Sequence, residues 1–178
     1  PSTSVQIYAS VRLAPQLLCV VGSACFFVLD CPVTPAVIGN RYQWNGDTLE
    51  TGSGVRLIES DAINGYAVSR GSDGWAVFFR DDREGDNNGY IARISTALAL
   101  QDGSLTAAGV RVINDISFAS GLAYDDDTRQ LFAAAFIDGT NAVAYRRVRT
   151  NDLAVISTPD GVTARINNVA DLKIAVGC

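Results

Sequence analysis

The sequence predicts an all-β, β-propeller-like fold: three tandem four-stranded blades of about 50–55 residues, with partial strands at both ends. Three observations predict it. Apolar runs are short, rich in Val, Ile, Phe and Tyr, and punctuated by Gly, Asn and Asp, with no sustained 3.6-residue helical period. One opening recurs: Gly54-Val55-Arg56-Leu57-Ile58-Glu59, then Gly109-Val110-Arg111-Val112-Ile113-Asn114, then Gly161-Val162-Thr163-Ala164-Arg165-Ile166-Asn167, with a fainter copy at Ser4-Val5-Gln6-Ile7. A sheet of a few short strands cannot bury both of its faces alone, so successive units must stack.

The elements follow in the same order after each opening. An apolar segment comes first: Leu17–Val21, Tyr66–Val68, Leu122–Tyr124 and Ile174–Val176. A tight turn then leads to a second strand, Cys25–Asp30, Trp75–Asp81 and Phe132–Asp138, each ending in aspartate. A third strand carries Arg41, Arg93 or Arg147. Asn45-Gly46 and Asp102-Gly103 mark turns, because both pairs tolerate the left-handed backbone that tight turns require. The division expected is residues 4–53, 54–108 and 109–160, with a partial unit at 161–178. Counted from innermost to outermost, the strands at the two ends leave a blade incomplete. The chain is therefore expected to be a fragment of a larger propeller or to assemble with another chain that completes the propeller.

Composition narrows the chemistry. The 178 residues include no His and no Met, which removes the commonest metal ligand and the usual general base near neutral pH. The net charge is −5, and Lys173 is the single lysine among 14 basic residues scattered along the chain, so nucleic acid is not an expected partner. The apolar run Leu17–Leu29 is too short to cross a bilayer and reads as core strand. Cys19, Cys25, Cys31 and Cys178 match no zinc-ligand spacing, and their even number favours disulfides and an oxidising, secreted or cell-surface location. Of the three possible connectivities, Cys19 with Cys25 across a hairpin and Cys31 with Cys178 is the one expected; the alternative is Cys25 with Cys31 and two buried thiols.

The second unit, Gly74-Trp75-Ala76-Val77-Phe78-Phe79-Arg80-Asp81-Asp82-Arg83 followed by Gly89-Tyr90-Ile91-Ala92-Arg93-Ile94-Ser95, resembles a repeat of large secreted proteins of myxobacteria and related bacteria. That repeat reads roughly "yLVVWxDxR", a short acidic loop, "iygaRvs", a glycine turn and "GixI". The third unit keeps Phe136-Ile137-Asp138 and Arg147 but has Thr140 in place of the arginine of "DxR"; the first keeps Asp30 and Arg41 but has Val28 in place of the aromatic. The resemblance implies a secreted, propeller-like array and assigns no chemistry.

Several residues are candidates for a site or a brace. Asp30/Arg41, Asp81/Arg93 and Asp138/Arg147 sit on neighbouring strands, and their recurrence points to structural ion pairs rather than catalysis. Asp82, Glu84, Asp86 and Asn88 present oxygen at every second position ahead of Gly89, a pattern of calcium loops; calcium is the one cofactor considered, against a solvated hairpin loop. Asp125-Asp126-Asp127 is a weaker version of the same idea, and Ser72-Asp73-Gly74-Trp75 is a turn brace resembling the aspartate box of sialidase-like propellers.

No single polar constellation selects a catalytic group. The expected function is an extracellular, non-enzymatic module for binding, adhesion or surface assembly that contacts protein or glycan. Two alternatives stand beside it: a secreted carbohydrate-active hydrolase using Asp81, Asp82 or Glu84, and a structural subunit pairing its open blade edges with another chain.

Overall fold

A computed structural model describes residues 16–19, 25–30, 36–45, 48–52, 54–59, 66–71, 74–137, 139, 142–156 and 164–165. The described chain is all-β, in three antiparallel sheets, with a single 3-10 turn at Leu105–Ala107. Sheet A holds β1 (Gln16–Cys19), β2 (Cys25–Asp30), β3 (Ala36–Asn45), β4 (Thr48–Thr51) and β5 (Val55–Glu59). Sheet B is the meander β6 (Tyr66–Gly71), β7 (Gly74–Asp81), β8 (Asn88–Ser95) and β9 (Val110–Ile113). Sheet C repeats the order with β10 (Ile116–Asp125), β11 (Gln130–Ile137), β12 (Ala142–Arg149) and β13 (Ala164–Arg165).

Among the described residues the strands expected from the apolar runs form where they were placed, while Ile174–Val176 lies outside those residues; the sheets are not cut where the sequence units are. Each opening segment closes the sheet before it: β5 pairs with β3, β9 with β8 and β13 with β12. Sheet A has five strands rather than four. Its ten-residue β3 pairs with β4 through Tyr42–Asn45 and with β5 through Ala36–Gly39, so two short strands share one side of a long one. Asn45 faces Thr48 at the end of the β3–β4 pairing, and Gly46 of the expected Asn45-Gly46 turn lies outside the described residues.

Sheet B is buried on both faces, which explains why β7 reads as a continuous apolar run rather than an alternating one. Trp75, Val77 and Phe79 face Tyr90, Ala92 and Ile94 in register, and together they pack on Val37, Leu57 and Ile58 of sheet A. Ala76, Phe78 and Ile91 point the other way, into a second core with Ile116, Ala119, Leu131, Ala133 and Ala135 of sheet C. Period-two alternation therefore divides one strand between two cores. A fully buried Phe contributes about 1.5–3 kcal/mol relative to exposure, so Phe78 and Phe79 alone tie sheet B to both neighbours.

Close approach fixes two glycines. At Gly89 a Cβ would stand 2.7 Å from Phe78 Cε2 and 3.0 Å from Ile116 Cδ1. Gly109 has φ +78°, and a Cβ there would lie 2.5 Å from the Ile91 carbonyl oxygen, so the glycine that opens the sequence motif is also the one that lets β9 join β8. The next connection is short: Ile116 donates its N–H to the Asn87 carbonyl at 2.7 Å, and Asp115 takes a left-handed φ of 52° between β9 and β10.

Candidate functional site

The aspartate that ends β7 is built into a turn. Asp81 is buried, its Oδ1 accepts the Arg83 backbone N–H at 2.9 Å, and its Oδ2 lies 3.4 Å from Arg83 Nε. Arg83 folds back so that its guanidinium carbon sits 3.8 Å from the Tyr90 ring centroid, and it donates to the Ala108 carbonyl. The Asp-x-Arg pattern is thus a local brace. Burial pushes the Tyr90 phenol above its ordinary value.

The expected Asp81/Arg93 ion pair does not form. Asp81 is opposite Asn88 while Arg93 is opposite Ala76, five positions away, or roughly 17 Å at a strand rise of about 3.4 Å per residue. Arg93 instead takes Asp102, with Nε donating to Oδ2 at 2.9 Å and Nη2 to Oδ1, while its backbone N–H reaches Oδ2 at 2.8 Å. In sheet A the register sets Asp30 opposite Ile38 and Arg41 opposite Phe27, three positions apart, so that pair is not juxtaposed either. Asp138 lies outside the described residues; Arg147 is opposite Phe132.

The oxygens proposed for calcium do not converge. Glu84 binds Arg111 at 2.6 Å, Asn88 is buried with Oδ1 accepting the Asp115 N–H at 3.3 Å, and Asp82 and Asp86 are exposed. Among the described residues no group of three or more Asp, Glu or Cys is placed to hold a metal ion. The loop is a hairpin turn closed by Gly85 N–H to the Asp82 carbonyl at 2.7 Å, and Asn87 accepts from Arg80. Asp125 likewise caps its own turn, accepting from Asp127 N–H at 3.0 Å and from the Thr128 hydroxyl; those bonds hold its carboxyl below the usual value.

Cys19 is opposite Phe26 in the β1–β2 register, one step from Cys25; Cys31 and Cys178 lie outside the described residues. Ser72 and Asp73 of the aspartate-box resemblance also lie outside them. No described helix is long and apolar enough to cross a membrane.

What the sequence did not mark is a polar depression of about 700 Å³ at one end of sheets B and C. It is lined by Arg93, Thr128, Arg129, Gln130, Arg149, Thr150, Asn151, Val155 and Ile156. Two of the three arginines are engaged: Arg93 with Asp102, and Arg149 with Asp152 at 2.8 Å. Arg129 is exposed, has φ 55°, and forms no ion pair among the described residues. Its carbonyl accepts from both the N–H and the hydroxyl of Thr150 at 3.1 Å, which fixes the β10–β11 turn to the end of β12. The sequence signal was only Thr128-Arg129-Gln130 after an acidic turn, which is indistinguishable from any solvated hairpin until β12 is folded beside it.

No protein-family model, curated protein or solved structure matches this chain.

Proposed function

We propose that the chain is an extracellular, non-enzymatic scaffold that presents a polar depression to an anionic group on a glycan or protein. Its propeller-like repeats, secretion and cysteine cross-links belong to this proposal. The observation that carries it is the depression itself. Among the described residues Arg129 makes no ion pair, and it lines the depression beside two hydroxyls and two carboxamides, while Arg93 and Arg149 are engaged with Asp102 and Asp152. A guanidinium with planar donors suits carboxylate or sulfate, and backbone bonds to Thr150 keep it in place. Of the carboxylates considered for hydrolysis, Asp81 and Glu84 are occupied by Arg83 and Arg111, and Asp82 is exposed.

The test is equilibrium binding of the purified chain to sulfated, carboxylated and neutral polysaccharides and to acidic proteins, with product analysis of the same mixtures. Salt-sensitive retention of anionic ligands, lost in Arg129→Ala and without cleavage, supports the proposal. Turnover of any glycan, or binding indifferent to Arg129, sinks it.

A further inference from the structure

The turns that follow β8 and β12 are built alike. The carbonyl of Arg93 accepts from Gln101 N–H at 2.9 Å, and that of Arg147 from Ile156 N–H at 2.8 Å. Ser95 N–H donates to the Ala99 carbonyl at 2.9 Å and Arg149 N–H to the Ala154 carbonyl at 3.0 Å. Each turn also holds a buried leucine in the left-handed region, Leu98 at φ 56° and Leu153 at φ 55°. Register extends the match, with Ser95 opposite Gly74 and Arg149 opposite Gln130.

The matched positions differ in what they carry. Where sheet B has Gly74 and Ser95, sheet C has Gln130 and Arg149, and these two line the polar depression. The turn of sheet C is also longer by a residue: Val148 bridges to Val155, seven positions on, while Ile94 bridges to Leu100, six positions on. Asp152 stands in that longer turn. In sheet B the Ser95 hydroxyl accepts from Ala99 N–H at 3.2 Å. In sheet C that duty falls to Asp152, whose Oδ1 accepts from Ala154 N–H at 3.1 Å and from Arg149 Nε at 3.2 Å, while Oδ2 accepts from Arg149 Nη2 at 2.8 Å. A turn that closes with serine needs neither the arginine nor the aspartate, so the scaffold does not account for either of them at the depression.

Resting on the anion-binding reading of Arg129, we infer that Arg149 is a second anion-binding residue of the depression, that Asp152 occupies it as a built-in competitor, and that the ligand able to take it is a sulfate ester on a polysaccharide. Arg149 and Asp152 are both exposed, and an exposed ion pair contributes little net stability, so the arginine changes partner at small cost. A carboxylate ligand presents two oxygens and replaces Asp152 like for like. A sulfate ester presents three, enough to accept from Arg149 and still reach Arg129, which precedes Gln130 in the facing strand and lines the same depression. Among the described residues the lining holds no aromatic ring, and Val155 and Ile156 are its apolar part. Charge, rather than stacking on a sugar ring, therefore selects the ligand.

The test is isothermal titration of the full chain with dextran sulfate and with carboxymethyl dextran of matched charge density, at fixed ionic strength. The wild type is expected to bind dextran sulfate about tenfold more tightly, and Arg149→Ala to remove about tenfold of that affinity. Asp152→Asn keeps an oxygen for the Ala154 N–H but drops the charge. It should raise the affinity for carboxymethyl dextran by about threefold or more, narrowing the preference for sulfate, and have no effect in the Arg149→Ala background. Asp82→Asn removes the same charge beyond the other end of the eight-residue β7, farther than the screening length of about 8 Å at physiological salt, and leaves both affinities unchanged. A misfolded variant cannot gain affinity, so the Asp152→Asn arm stands by itself. Equal affinity for the two polymers, indifference to Arg149, or no gain in Asp152→Asn overturns the competitor, and leaves the Arg129 reading standing where binding still needs Arg129. Binding of neither polymer overturns both.

Discussion

Arg93 and Asp102 form a multi-point ion pair in which the carboxylate takes both the side chain and the backbone N–H of the same arginine. The remaining guanidinium nitrogen reaches two carbonyls at the end of β12, so one residue links the β8–β9 loop, sheet B and sheet C.

Arg93→Ala is therefore expected to destabilise the fold by about 2–4 kcal/mol in urea unfolding. That is less than the cost of breaking a fully buried pair, because the Arg93 side chain is 27% exposed. Arg93→Lys should recover only part of this, since an ammonium cannot serve the carboxylate and both carbonyls in one plane. Full recovery by lysine would reduce the contact to simple charge.

The turn leucines separate packing from backbone strain. Leu153 is fully buried, and Leu153→Ala should cost about 2–5 kcal/mol. At Leu98 the left-handed backbone costs roughly 1–2 kcal/mol for any residue with a Cβ, so Leu98→Gly is expected to be no less stable than Leu98→Ala. Thermal unfolding of the two Leu98 variants decides it, and a clearly less stable glycine variant would contradict the strained backbone.

Gly89→Ala should cost about 1–3 kcal/mol by overpacking, because Phe78 and Ile116 close over that position from two sheets. A second change, Ile116→Val, is expected to return part of the loss. Independent, additive effects in the double variant would mean that the two side chains do not meet.

Two groups give stability a pH dependence of opposite sign. The Asp125 carboxyl titrates below its unfolded value, so its contribution is present above about pH 4 and is lost as pH falls through the folded value; Asp125→Asn should flatten the acid limb. Tyr90 is shifted upward, so the unfolded chain loses its proton first and stability falls once pH passes 10, a fall that Tyr90→Phe should remove. Unfolding midpoints across the pH range check both signs.

Calcium is expected to leave the melting temperature unchanged, because Glu84 and Asn88 already have partners in the loop. A rise that saturates with calcium and disappears in Asp86→Asn would show that the loop rearranges into a site.

The sequence by itself determined the class and the places of the strands. Alternation, β-branched and aromatic enrichment, and Gly, Asn and Asp turns act over a few residues, so Trp75–Asp81 and the turn at Asp102-Gly103 could be read one strand at a time. It also exposed the recurrent Gly109-Val110-Arg111 opening, whose glycine is required by the approach of β9 to the Ile91 carbonyl. The pairing of charges was decided by the tertiary structure. Asp81 and Arg93 recur together in the chain, yet β7–β8 register sets them five positions apart and hands each to a different partner. The depression around Arg129 likewise appears only when the β10–β11 turn meets the end of β12, 21 residues later. Register and sheet stacking come from side chains packing across long sequence separations, and a local pattern carries no measure of where the opposite strand will stop.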